Sequence, residues 1–178
     1  DDRKADHPLV VIDFLLRHQF HAAVQQIADT ELNAILEAGT FAPSGMGKQS
    51  AVMVVLQDEG TIRALSAVNA RIMGNPAADP FYGAPTVVAV LADRDSYNWL
   101  KDGSLVMGNL MNAAASLGVG SCWINRCEET FDLPEGKEYL KKWGLGEHYK
   151  GVGFCILGYA EGEVPPPKPR KENYIIRP

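Results

Sequence analysis

Four short, almost continuously apolar runs constrain this chain most: Val52 to Leu56, Thr86 to Leu91, Val119 to Ile124 and Val152 to Leu157. Runs of this length, bounded by turn residues, suit buried strands. Helical spacing fills the intervals between them. Glu31 to about Phe41, capped by Asp29 or Thr30, puts Leu32, Ile35 and Leu36 on one face. Asp58 opens a helix through Leu65 that fades near Met73-Gly74-Asn75-Pro76. The longest helix should run from Tyr97 or Gly103 to Leu117 and stop at Gly118. It is apolar around most of its circumference, which calls for burial at the centre of the domain or in a subunit interface. Glu135 to Trp143, closed by Gly144, forms a further helix, and Leu9 to Phe20 an amphipathic one near the start. Strands separated by helices favour a layered α/β or α+β sandwich.

The 178 residues fit a single domain, long enough to bury roughly 70% of the extended-chain surface. A net charge of −5 argues against nucleic acid or an acidic membrane as partner. No apolar run approaches the ~20 residues of a membrane span. Cys122, Cys127 and Cys155 are too few and odd in number for a disulfide framework, and no second Cys/His pair gives zinc spacing, so no metal is expected. The chain begins at Asp1 rather than Met, as a trimmed or processed start would, and the cytoplasm is the default location. Pro165-Pro166-Pro167 detaches a β-prone tail, Tyr174-Ile175-Ile176, which is expected to add to a sheet edge, a partner's included.

The loop Ala42-Pro43-Ser44-Gly45-Met46-Gly47-Lys48-Gln49 carries the chemistry. Two glycines within three residues let the backbone approach a ligand or take positive φ. Ser44, Lys48 and Gln49 add a hydroxyl, a cation and an amide, equipment for a polar, phosphorylated small molecule; turn chemistry alone is the plainer alternative. It is not a P-loop, because Ala42 stands where the first glycine belongs and Gln49 where Ser or Thr would bind magnesium. No G-x-G-x-x-G dinucleotide fingerprint occurs either: Gly45/Gly47 leads to Ser50, Gly118/Gly120 to Trp123 and Gly151/Gly153 to Ile156.

Seven pieces in order resemble the FMN-dependent nitroreductase family, its short single-domain members above all. They are Arg17-His18-Gln19; Ala42 to Met46 with Gln49; Tyr82-Gly83-Ala84-Pro85; Asp102 with Asn109; Ser116 to Ile124; Leu157-Gly158-Tyr159; and Lys168-Pro169-Arg170-Lys171. The resemblance implies an α+β sandwich over residues 1–178, an intertwined homodimer with FMN at each interface cleft, and a tail from about residue 163 laid over the partner. It implies that Arg17, His18, Gln19, Lys168 and Arg170 hold the phosphate and ribityl chain. Pro43, Ser44, Gly45 and Met46 come from the other subunit, and Cys122, Trp123 and Ile124 lie against the isoalloxazine ring. Gln19, His21 and Gly47 depart from the family pattern, while Lys48 keeps its basic residue.

The residues agree with a flavin. A phosphate of nearly two charges suits arginine, and a cation near N1 and C2=O, whether Lys48 or His21, favours reduced flavin. The implied activity is an NAD(P)H-dependent oxidoreductase passing electrons to nitroaromatic, quinone or similar acceptors in a ping-pong sequence. Hydride transfer needs no protein nucleophile, so no side chain is assigned as catalytic. His18 and Cys122 are read as contacts, with Phe41, Phe81 and Tyr82 as candidate walls of the substrate pocket. The rivals are a noncatalytic flavin-binding or sequestering protein, a relative using reduced flavin for another reaction, and a nucleotide-binding module without flavin.

Overall fold

The computed structural model describes residues 25–159 and 169–178. The expected helix over Leu9 to Phe20 and the positions Arg17, His18, Gln19, His21 and Lys168 lie outside the described residues. The fold is α+β: β1 (Ala51–Leu56), β2 (Thr86–Asp93), β3 (Gly120–Ile124) and β4 (Tyr149–Gly158) make one antiparallel sheet in the order β1-β2-β4-β3. The helices are α1 (Asp29–Thr40), α2 (Glu59–Ile72), α3 (Trp99–Ser116), α4 (Cys127–Asp132) and α5 (Pro134–Lys142). No helix among the described residues is long and apolar enough to cross a membrane.

The continuous apolar character of β2 follows from its central place. Val87, Ala89 and Leu91 enter a core with Leu65, Phe131, Leu140 and Phe154 beneath α2, α4 and α5. Val88, Val90 and Ala92 alternate into a second core with Ile35, Met107, Leu110 and Cys155 beneath α1 and α3. A register shift between Val90 and Leu91, where Val90 faces Gly153 and Leu91 faces Gly151, makes Val152 the extra residue of a bulge on β4. The Trp123 indole lies over Gly153, where a Cβ would stand 2.5 Å from Nε1.

Several boundaries differ from the sequence expectation. Asp29 and Thr30 are helical, and the cap of α1 is Ala28, whose N–H donates to the Glu31 carboxylate at 3.0 Å. Asp58 caps α2 as expected, accepting from Thr61 N–H at 2.8 Å. β3 begins at Gly120. The short α4 is an addition; six residues with two apolar anchors, Cys127 and Phe131, give no helical period to read. α3 buries Val106, Met107, Leu110, Met111 and Ala114 but leaves Leu100 and Leu105 about half exposed. The helix is therefore not enclosed all round within one chain. Residues 169–178 form no strand and are exposed.

Candidate functional site

The Pro43–Gln49 loop leaves α1 and docks on the first turns of α3 through a carboxylate. Asp102, only 4% exposed, accepts from Gly45 N–H at 2.9 Å and Ser50 Oγ–H at 3.1 Å. Asn98 packs so tightly on Gly45 that a Cβ there would stand 2.3 Å from its Nδ2. A side chain there would force Asn98 to shift. The loop closes on itself as Ser44 Oγ accepts from Gln49 N–H at 2.9 Å. Met46, Gly47 and Gln49 all take positive φ, at 55°, 66° and 49°. Asn109 Nδ2, donating to Ala38 O at 2.9 Å, ties α3 to the end of α1 and fixes where the loop starts.

A recess of about 210 Å³ lies against this loop, lined by Pro43, Ser44, Gln49, Ser50 and Asp102 among others. Ser44 keeps its own O–H to donate, and Lys48 forms no ion pair among the described residues. Met46 stands 84% exposed at the tip and Phe41 77% exposed at its base.

The proposed pocket aromatics are not brought together. Phe81 is fully buried in the core under α2, its ring 5.0 Å from that of Phe154, while Phe41 follows α1 beside the other core. Tyr82 sits partly exposed in the turn after it with φ 53°. A larger cavity of about 660 Å³ beside Phe81, Pro85 and α2 has its polar side chains already engaged. Asp79 takes Ser66 Oγ–H and the N–H groups of Phe81 and Gly83, and Gln26, Gln57 and Thr86 bond one another.

At the end of β3, strand alternation divides the three residues expected against a ring. Cys122 and Ile124 enter the core beneath α2, α4 and α5, and Trp123 turns to the other face. The Trp123 indole N–H is buried without a hydrogen-bond partner among the described residues. Burial raises the Cys122 thiol to about 11 and Cys155 to about 12, and pushes Cys127 well up. Such thiols stay protonated at neutral pH, where they are poor nucleophiles. At the start of the C-terminal segment Tyr159 donates to Glu31, a bond that holds its phenolic proton above the usual range. Arg170 is exposed in the 169–178 stretch.

Two residues that sequence reasoning left out stand at the β3–α4 corner. Arg126 takes left-handed φ 68°, ψ 20°, and its Nε donates to Asn69 Oδ1 at 2.9 Å. Asn69, fully buried on α2, donates in turn to Asn125 O at 2.8 Å. The available signal was a cation placed directly before a helix whose first turn is acidic, against the helix dipole.

Residues 20–159 match the nitroreductase family, and the chain belongs to it. It is similar to a nitroreductase with bound FMN from Bacteroides fragilis, at 30% identity, covering 90% of this chain and 93% of that one, with a TM-score of 0.82. A nitroreductase with bound FMN from Desulfitobacterium hafniense is 25% identical over the same shares, with a TM-score of 0.77. A protein of Archaeoglobus fulgidus named "Putative NADH dehydrogenase/NAD(P)H nitroreductase" is 27% identical over 144 residues, 78% of each chain.

Proposed function

We propose that this chain is an FMN-dependent NAD(P)H oxidoreductase, one flavin-binding domain working as a cytoplasmic homodimer and reducing nitroaromatic, quinone or similar acceptors by ping-pong hydride transfer. The observation that carries the reading is the Pro43–Gln49 loop, anchored through Asp102 and offering a hydroxyl and an ammonium that forms no ion pair among the described residues, on a chain with solved relatives that hold FMN. That donor set fits a polar, anionic cofactor, and the orphaned Trp123 N–H marks a second polar position at the strand end. Ser44, Gly45, Met46 and Lys48 would orient the cofactor from one subunit. The strand end from Cys122 through Trp123 to Ile124 would back its ring in the other, with Arg17, His18, Gln19, Lys168 and Arg170 holding phosphate and ribityl chain and Lys48 or His21 as the cation near N1 and C2=O. Bound FMN would supply the acceptance of a hydride and its delivery to the acceptor. The protein's part is to bind, orient and exclude water; its protonated cysteines take no covalent step.

The exposed Phe41, Met46, Tyr97, Leu100, Leu105, Ile175 and Ile176 support the dimer, because each is a large apolar side chain that one chain leaves open and a partner would cover. The test is the absorption spectrum, FMN titration and sedimentation of the purified protein. Yellow protein binding one FMN per chain, sedimenting as a dimer and bleached by NADH or NADPH, is the expected result. Riboflavin, which lacks the phosphate, should bind one to two decades more weakly, since a charge-assisted contact is worth about 1.5–3 kcal/mol. Colourless protein that fails to quench FMN fluorescence would overturn the reading. Bound FMN that neither nicotinamide reduces would favour a sequestering protein. Arg17→Ala should weaken FMN binding, whereas His18→Ala should retain turnover at saturating FMN.

A further inference from the structure

The cavity of about 660 Å³ lined by α2 and the 76–85 stretch is of a size that takes a small molecule. It shares no lining residue with the recess at the Pro43–Gln49 loop. Ile62, Ala67 and Phe81 give it apolar wall. Its polar lining has largely spent its hydrogens. Ser66 donates its hydroxyl hydrogen to Asp79, which also takes the N–H groups of Phe81 and Gly83. Gln57 places both hydrogens of Nε2, on Gln26 Oε1 and Thr86 Oγ1, which leaves its own Oε1 as an acceptor. Charge points the same way: Glu59 and Asp79 outnumber Arg63, whose guanidinium pairs with Glu59 at 2.5 Å. Of the polar side chains in this lining only Ser66 is buried, at 6% exposure. Having given its hydrogen away, Ser66 Oγ can only accept.

We propose that this cavity binds a neutral, flat apolar ring bearing an N–H donor, and that Ser66 Oγ receives that hydrogen. The apolar walls suit the ring. A ring that carries only acceptors leaves the buried Oγ unpaired, whereas an N–H satisfies it. A carboxylate or phosphate would meet acceptors and a net negative lining, with no buried side-chain donor to repay its lost hydration. The chemistry is thus opposite to that of the Pro43–Gln49 loop, whose hydroxyl and ammonium suit an anion. The site stands whether or not the chain holds flavin, because none of its groups belongs to that loop.

The experiment is titration of the full chain with indole, followed by calorimetry and by backbone amide NMR. One indole per chain is expected, with shifts at Ser66, Ala67 and Gly83. Benzofuran, the same ring with oxygen in place of N–H, should bind at least about fivefold more weakly, the worth of one hydrogen bond. Indole-2-carboxylate should not saturate. Ala67→Leu fills the space from an exposed helix position that tolerates leucine, and should weaken indole at least about tenfold. Ser66→Ala should bring indole and benzofuran to within about twofold of each other. No saturable binding, shifts confined to the Pro43–Gln49 loop, or benzofuran bound as tightly as indole would each overturn the proposal. These three readouts come from the wild-type protein, so they decide even if a variant fails to fold.

Discussion

The Pro43–Gln49 loop and the Asn125–Arg126 corner are each held by one buried polar side chain from a neighbouring helix, but with opposite consequences. At the loop the anchor is charged: Asp102 satisfies its carboxylate with the neutral donors of Gly45 and Ser50. The loop's own cation, Lys48, is left outside the bracket. At the corner the anchor is neutral, and the charge sits on the residue being held. A buried carboxylate with two good donors is a structural clamp. A buried amide that fixes a guanidinium by one edge holds the corner without neutralising its charge.

The largest effect should come from breaking the clamp. Asp102→Ala strands a backbone N–H and a hydroxyl, and at about 1.5–3 kcal/mol per bond to a carboxylate should cost about 3 kcal/mol or more in denaturant unfolding. Asp102→Asn retains one acceptor and should lose roughly half as much. A loss below about 1 kcal/mol for Asp102→Ala would show that the loop does not depend on it. Asn69→Leu, similar in volume, removes both bonds of the corner and should cost about 2 kcal/mol. If Asn69→Leu costs as much as Asp102→Ala, the contrast between a charged clamp and a neutral anchor fails.

Gly45→Ala tests the close approach at the loop. Its Cβ would meet Asn98, so a cost of about 1–3 kcal/mol is expected from overpacking. Asn98→Ala in the same chain should restore part of it, and strictly additive losses in the double-mutant cycle would remove Asn98 as the constraint.

The smallest effect concerns Cys122 on the strand that leads into the corner. Burial raises this thiol from 9.0 to about 11. Because the folded value lies above the unfolded one, the stabilisation is present below about pH 9 and is lost as pH rises towards 11. Wild-type stability should therefore fall across that window, and Cys122→Ala should fall less. Iodoacetamide should leave the folded thiols unmodified at pH 7; rapid alkylation of Cys122 would reveal an activated thiolate.

Much of the frame was legible because it depends on short-range pattern. The unbroken apolar run of β2 foretold a strand, Asp58 marked the start of α2, and Gly144 the end of α5. The loop with its serine, lysine and glycines was legible too, since turn chemistry is local. The candidate aromatics were not, because which face a side chain takes depends on where its segment meets the sheet. Phe81 is core and Phe41 is surface, although both are phenylalanines beside turns. The apolar circumference of α3 announced burial without saying what covers Leu100 and Leu105.

By itself, then, the sequence determined the strands, most of the helices and the polar composition of one loop, since each rests on hydrogen bonding and burial within a few residues. The order β1-β2-β4-β3, the bulge at Val152 and both anchors were decided by tertiary structure. Asp102 and Gly45 lie 57 positions apart, as do Arg126 and Asn69. No local propensity connects residues at that separation. Only the packing of α3 beneath the loop and of α2 beside β3 turns an ordinary aspartate into a clamp and an ordinary asparagine into the support of a strained arginine.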